Sequence, residues 1–139
     1  DANNMGAAMA AAAYSTIKAF FDDTGTGIDD YDLIFTGDLG KTGSELLYEL
    51  FSKDNIDIRF KHSDCGLMMF NIKNQDVHSG GSGCGCSASI LNSYIMNRML
   101  DGTFKNILFV PTGALLSPTS SMQGKSIPSI AHLVNIRKD

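Results

Sequence analysis

The chain has 139 residues, of which 43% are hydrophobic and 19% charged, and its formal net charge is −4. This balance is typical of a globular domain with its own core, not of a disordered chain. Lys and Arg form no cluster longer than Arg137-Lys138, which argues against nucleic-acid binding through a basic face.

The sequence contains no apolar run near the roughly 18 residues of a membrane span, and no secretory signal peptide is visible. Three cysteines, two of them in a CxC spacing, do not match the disulfide framework of a secreted domain, which predicts a reducing compartment. Because the chain starts at Asp1 without Met, we expect a piece of a longer protein.

The first half of the chain predicts alternating helices and strands. Apolar residues recur on one helical face from Met5 to Phe21, and Gly25 suits the position after a helix end. Thr42-x-x-Glu45 predicts a capping box at the start of a second helix. The predicted elements are a helix over 5–21, a buried strand over 31–36, a helix from Thr42 and a half-exposed strand over 56–60.

The second half predicts one helix and two strands after an irregular segment. Asp64-Cys65-Gly66 is expected to form a turn, and Asp101-Gly102 to stop the helix. The predicted elements are a helix over about 86–100, a fully apolar strand over 107–110, a long loop over 111–128 and a last strand over 130–136. Helices that alternate with short apolar strands predict an α/β layer architecture.

Residues 80–89 read GGSGCGCSAS and precede the predicted helix over 86–100. Glycines before a helix N-terminus can present N–H groups to a phosphate, but the stretch contains no GxxxxGK[ST], and Cys86 stands where GxGxxG needs its third glycine. The other interpretation is a tight turn in which backbone packs on backbone.

The thiols allow two further interpretations. Four residues could hold a metal ion, although CxC is shorter than the usual zinc spacing and no second pair completes it; they are Cys65, His78, Cys84 and Cys86. A thiol at a helix start could also be a nucleophile with His78 or His132 as its base. The structural alternative is that the cysteines are small buried residues and the histidines have no catalytic part.

Asp38 follows a predicted buried strand directly, at the carboxyl edge where α/β folds bind ligands. The alternative is a turn aspartate that accepts hydrogen bonds from nearby N–H groups.

The segment from Gly83 to Ile90 resembles the GNTSAASI segment of the thiolase-like condensing enzymes of the ketoacyl-synthase III type. The helix that follows, Asp101-Gly102, the strand over 107–110 and Gly113-Ala114 match the same family. This resemblance implies an α/β protein whose residues 1–139 form the C-terminal half of a thiolase-like fold. Such a half is a layered α/β/α unit with a mixed five-stranded sheet, here with its first strand missing.

A narrower resemblance is carried by Thr36 to Gly40, Asp64 to Leu67, Gln75 to His78, Gly80 to Ser87 and Ser117 to Ser121. These segments are similar to the stage V sporulation protein AD family of spore-forming bacteria. The resemblance implies a protein that binds dipicolinic acid (pyridine-2,6-dicarboxylate), or its calcium chelate, and helps its uptake into the developing spore. It also implies other proteins of the same operon as membrane partners, a peripheral position at the forespore membrane, a homodimer when full length, and no cofactor.

The departures from the condensing enzymes bear on chemistry. Their catalytic His corresponds to Gly37-Asp38 here, and their Asn to Cys84. Both groups would stabilise an oxyanion, which a glycine, a carboxylate and a thiol do poorly. We therefore expect no catalytic residue and no metal ligand, but a ligand-binding set consisting of Asp38, His78, Gly83, Cys84, Gly85 and Cys86.

Backbone N–H groups at this turn, together with the hydroxyls of Ser82 and Ser87, would donate hydrogen bonds to the carboxylates of the ligand. Two alternatives stay open. One is an acyltransferase with rearranged groups, using Cys86 or Cys84 with His78, and the other is a scaffold for membrane partners.

Overall fold

The computed structural model describes residues 5–69, 84–115, 119 and 122–139. Its centre is a four-stranded sheet of β1 (Leu33–Thr36), β2 (His62–Asp64), β3 (Asn106–Val110) and β6 (Val134–Arg137), in the order β2-β1-β3-β6. The first three strands run parallel, and β6 lies antiparallel to β3. A separate antiparallel pair joins β4 (Thr112–Ala114) to β5 (Ser129–Ala131).

Helices connect and cover these strands. They are α1 (Met5–Thr24), α2 (Gly40–Ser52), α3 (Cys65–Met68), α4 (Cys84–Ile90) and α5 (Met96–Leu100). A π-helical turn, Leu91–Ile95, makes α4 and α5 one continuous helix over residues 84–100. Two single 3₁₀ turns lie at Ile28–Asp30 and Arg59–Lys61.

The core has two layers, one on each face of the sheet, because successive side chains of a strand point to opposite faces. On one face, Ile34 and Leu108 pack with buried residues of α1 and α2. On the other face, Phe35 and Ile107 pack with Ile95 and other residues of the helix over 84–100. The predicted α/β class, with helices on both faces of a mixed sheet, is therefore confirmed.

Helices α1 and α2 cross closely at a glycine. A Cβ atom at Gly43 would lie 2.8 Å from the carbonyl oxygen of Gly6, so the backbones meet without a side chain between them. Gly25, with φ of +65°, follows the end of α1 as predicted.

Two predicted strands are wrong in position. The strand predicted over 56–60 is instead a loop leading into a 3₁₀ turn, and β2 begins at His62. Ile58 is fully buried while Phe60 is 85% exposed, so the alternating pattern reflects single side chains and not a pleated strand. The strand predicted over 130–136 is split into β5 and β6, which belong to different sheets.

The capping-box prediction is also wrong. Helix α2 begins at Gly40, before Thr42, and its N-cap residue Leu39 makes no side-chain cap. The N–H groups of Leu39 and Gly40 instead donate to the carboxylate of Asp64. The turn predicted at Asp64-Cys65-Gly66 is the end of β2 and the first turn of α3.

Candidate functional site

The strand order places a topological switch point between β1 and β3. From β1 the chain crosses to β2 on one side, and it later returns to β3 on the other side. In open α/β sheets, ligands bind outside the carboxyl ends of the strands at such a point. We call the residues gathered there the switch-point site; they are Gly37, Asp38, Cys65, Gly66, Cys86, Ser87 and Thr112.

Asp38 and Thr112 join the two strand ends across the switch point. The N–H of Asp38 donates to Thr112 Oγ1 over 3.2 Å, and that hydroxyl donates to Asp38 Oδ1 over 2.9 Å. The half-buried carboxylate of Asp38 is thereby held just beyond the carboxyl end of β1. Asp38 therefore lies at the carboxyl edge, as predicted, and its carboxylate accepts a hydrogen bond that fixes the turn. Its part in ligand binding stays a prediction.

Gly37 leaves no room for a side chain. A Cβ atom there would lie 2.8 Å from the backbone nitrogen of Thr112 and 2.8 Å from Ser87 Oγ. The N–H of Gly37 donates to the carbonyl of Val110, and its own carbonyl accepts from the N–H of Gly66. The backbone after β1 is therefore packed directly against β4 and the helix over 84–100.

Asp64, the last residue of β2, is 2% exposed and accepts four hydrogen bonds. Its donors are Thr36 Oγ1 at 2.6 Å and the N–H groups of Leu39 at 2.9 Å, Gly40 at 3.1 Å and Leu67 at 3.3 Å. One carboxylate thus caps both α2 and α3. Burial raises the pKa of Asp64, and these hydrogen bonds to the charged form act against that rise.

A buried polar chain extends from Asp64 to the surface of α2. Thr36 Oγ1 lies 2.8 Å from His62 Nε2, and His62 Nδ1 lies 2.7 Å from the hydroxyl of Tyr48. Because the Thr36 hydroxyl donates to Asp64, it accepts from Nε2–H. Burial lowers the pKa of His62 to about 4, so the imidazole is neutral near pH 7 and its Nδ1 accepts from the Tyr48 hydroxyl.

The thiols at the site are buried. Cys65 is 0% exposed, and burial, followed by the nearby Asp64, Cys86 and Asp38, raises its pKa to about 12. Cys86 is 5% exposed. A protonated, inaccessible Cys65 has none of the properties of a nucleophile.

The structure describes only some of the ligand-binding residues that the sequence predicts. Asp38 and Cys86 lie at the switch-point site, and Gly85 is exposed near the start of α4, with no described atom within 4 Å of its Cβ position. His78, Gly83 and the side chain of Cys84 lie outside the described residues, as does Ser82.

His132, a candidate base, is exposed, and its backbone N–H donates to the carbonyl of Pro111. In the described part of the chain, no three His, Cys, Asp or Glu side chains come together as metal ligands.

Sequence reasoning missed the buried chain of Tyr48, His62, Thr36 and Asp64. His62 and Asp64 are two residues apart, which places their side chains on the same face of a strand. That signal is visible only once β2 is located at 62–64 and not at 56–60.

These features define a layered α/β protein with a candidate ligand site at the switch point of its sheet. The chain belongs to the stage V sporulation protein AD (SpoVAD) family, whose model matches residues 1–137. It is similar to stage V sporulation protein AD of Bacillus subtilis (strain 168), with 46% identity over 132 residues. The alignment covers 95% of this chain and 39% of that relative. Within the described ranges, no helix combines the length and apolar character that crossing a bilayer requires.

Proposed function

We propose that the full-length protein binds dipicolinic acid, or its calcium chelate, without transforming it, and helps its uptake into the developing spore. Membership of the sporulation family supports the setting. The resemblance to the condensing enzymes supports a ligand-binding site at the position where those enzymes have their catalytic residues.

The observation that carries the proposal is the packing around Gly37. Condensing enzymes of the resembled family place their catalytic histidine at this point of the chain. Here a Cβ would meet the Thr112 nitrogen at 2.8 Å, so an imidazole does not fit unless β4 moves. His62, the nearest described histidine along the chain, has its ring nitrogens engaged by Thr36 and Tyr48. His62 is therefore not free to take the part of the missing base at Gly37.

A dicarboxylate ligand needs N–H donors that do not already have a protein acceptor. All four N–H groups from Gly37 to Gly40 already have protein acceptors. The first turn of a helix has N–H groups without an intrahelical acceptor, so the start of α4 is where the ligand's carboxylates would bind. Asp38 would repel a free dianion but attract its calcium chelate, since carboxylates are calcium ligands.

Calorimetry on the full-length protein tests the proposal. We expect a binding heat for dipicolinate, larger with calcium present. Benzene-1,3-dicarboxylate is the matched control ligand, because it keeps both carboxylates but lacks the ring nitrogen needed for chelation, and it should bind more weakly. The absence of heat from dipicolinate, with and without calcium, would defeat the proposal.

Alkylation separates this proposal from an acyltransferase that uses Cys86 or Cys84 with His78. In a binding protein, the Cys86 thiol, which is 5% exposed, should react slowly with iodoacetamide in the native state. Fast alkylation of either cysteine below pH 8, together with thioester turnover, would favour the enzyme. Ligand binding by the isolated protein would argue against a scaffold that only docks membrane partners.

The proposal extends to assembly. We propose a homodimer of the full-length protein that lies peripherally at the forespore membrane beside other proteins of its operon. Light scattering on the purified protein and co-sedimentation with forespore membranes test these two parts. A monomeric protein that stays in the supernatant would contradict both.

A further inference from the structure

The buried carboxylate of Asp64 has more partners than the cap of one helix needs. It is 2% exposed, and its four donors come from three places: the end of β1, the start of α2 and the start of α3. It contacts the segment that carries Gly37 and Asp38 from both sides, through Thr36 before it and Leu39 and Gly40 after it.

Every N–H between Gly37 and Gly40 has an acceptor, and the acceptors fall into two groups. Those of Gly37 and Asp38 bond to Val110 and Thr112, which belong to the β3–β4 side of the site. Those of Leu39 and Gly40 bond to Asp64, on the β2 side. The N–H groups of the turn are thus bound on two sides, and Asp64 accepts both of those on the β2 side, where the N–H of Gly66 also donates to the carbonyl of Gly37.

The orientation of the carboxylate is itself fixed. Thr36 donates to Oδ1, and His62 and Tyr48 extend the same chain of hydrogen bonds. The chain ends at Tyr48 beside a surface groove. A carboxylate oriented in this way cannot rotate without breaking bonds to two helices.

We propose that Asp64 is a positioning residue of the switch-point site. Its carboxyl group fixes the backbone from Gly37 to Gly40 by accepting hydrogen bonds from Leu39 and Gly40, and through that backbone it fixes the position of the Asp38 carboxylate. The consequence for ligand affinity rests on the proposed function; the consequence for the turn does not.

The variant Asp64→Asn tests this inference in the full-length protein. It keeps the side-chain volume but replaces one acceptor oxygen with an NH₂ group, which faces N–H donors. We expect the affinity for calcium dipicolinate to fall about tenfold or more, as for a lost hydrogen bond to a charged group. The control is Ile17→Val, a change in the core between α1 and the sheet, chosen to lower stability without touching the site.

Thr36 supplies a second pair of variants. Thr36→Val removes the hydroxyl that orients Asp64 and should weaken ligand binding, while Thr36→Ser keeps the hydroxyl and should restore most of the affinity. This pair keeps the test available if Asp64→Asn does not fold.

Hydrogen exchange provides a readout that needs no ligand. The amides of Gly37 and Asp38 do not bond to Asp64, so a purely local cap leaves their exchange rates unchanged in Asp64→Asn. Positioning predicts that both exchange faster, while amides within β3 keep their protection.

Three results are decisive. If Asp64→Asn binds calcium dipicolinate like the wild type although its unfolding midpoint falls, Asp64 only stabilises the fold and the inference is overturned. If the wild type binds no dipicolinate, the proposed function fails, and the exchange rates of Gly37 and Asp38 alone decide the inference. Unchanged rates in that case would also overturn it.

Discussion

Replacing Gly37 by alanine adds one methyl group at the tightest described point of the site. Its carbon would lie 2.8 Å from the Thr112 nitrogen, 2.8 Å from Ser87 Oγ and 3.0 Å from Thr112 Oγ1. Contacts below 3.0 Å essentially never occur for real Cβ atoms, so something must move. The Ser87 hydroxyl can rotate away, but the Thr112 backbone is held by pairing with Ala131, and the Thr112 hydroxyl is held by two hydrogen bonds to Asp38.

The expected cost follows from that immobility. Overpacking a filled site costs about 1–3 kcal/mol, and the upper part of this range applies where backbone has to shift. Urea denaturation of the full-length protein, followed by far-UV circular dichroism, measures the loss as a lower midpoint at an unchanged slope.

Gly85→Ala is the matched control, because the same methyl is added in the same region. No described atom lies within 4 Å of its Cβ position, and the residue lies in α4. Gly85 is the second residue of α4, where alanine adopts the helical backbone without strain, so this variant should be at least as stable as the wild type. Equal stability of Gly37→Ala and the wild type would refute the packing argument for Gly37.

Three further predictions concern other parts of the molecule. Because burial holds the pKa of His62 at about 4, below its usual 6.5, the stability it confers is present above pH 6.5 and is lost as the pH falls to about 4. The loss is about 3 kcal/mol, and His62→Gln should flatten this part of the stability–pH curve; an unchanged slope would count against it. Asp64 has a raised pKa, so its titration changes the free energy of unfolding in the opposite direction. The quantity to compare is therefore the difference in that free energy between the wild type and His62→Gln at each pH. Gly43→Ala should lower the free energy of unfolding by about 1–3 kcal/mol, because the added methyl group forces α1 away from α2. Urea denaturation measures this loss, and an unshifted midpoint would contradict it. Gly85→Ala should weaken dipicolinate binding in calorimetry while the protein stays folded; wild-type affinity would remove Gly85 from the site.

Much of the fold follows from local pattern. Helix α1, strand β1 and strand β3 lie where the spacing of apolar residues predicts them, within a few residues at their ends. The sequence motifs also carry the family, which the match over residues 1–137 confirms. These predictions succeed because the period of the apolar side chains is set by the geometry of a single helix or strand.

The predictions that fail depend on residues far apart in the chain. The capping box at Thr42 is locally plausible, yet Asp64 caps α2 from 24 residues away. The strand expected over 130–136 divides because β5 pairs with β4 while β6 pairs with β3.

The sequence by itself determined the α/β class, the family and the position of Asp38 at a strand end. Only the tertiary structure decided that Gly37 has no space for a side chain, that His62 is neutral and engaged, and that the Cys65 thiol is inaccessible. The physical reason is that space, burial and hydrogen-bond partners at a point come from every segment that converges there, whereas a sequence pattern reports only on the segment that contains it.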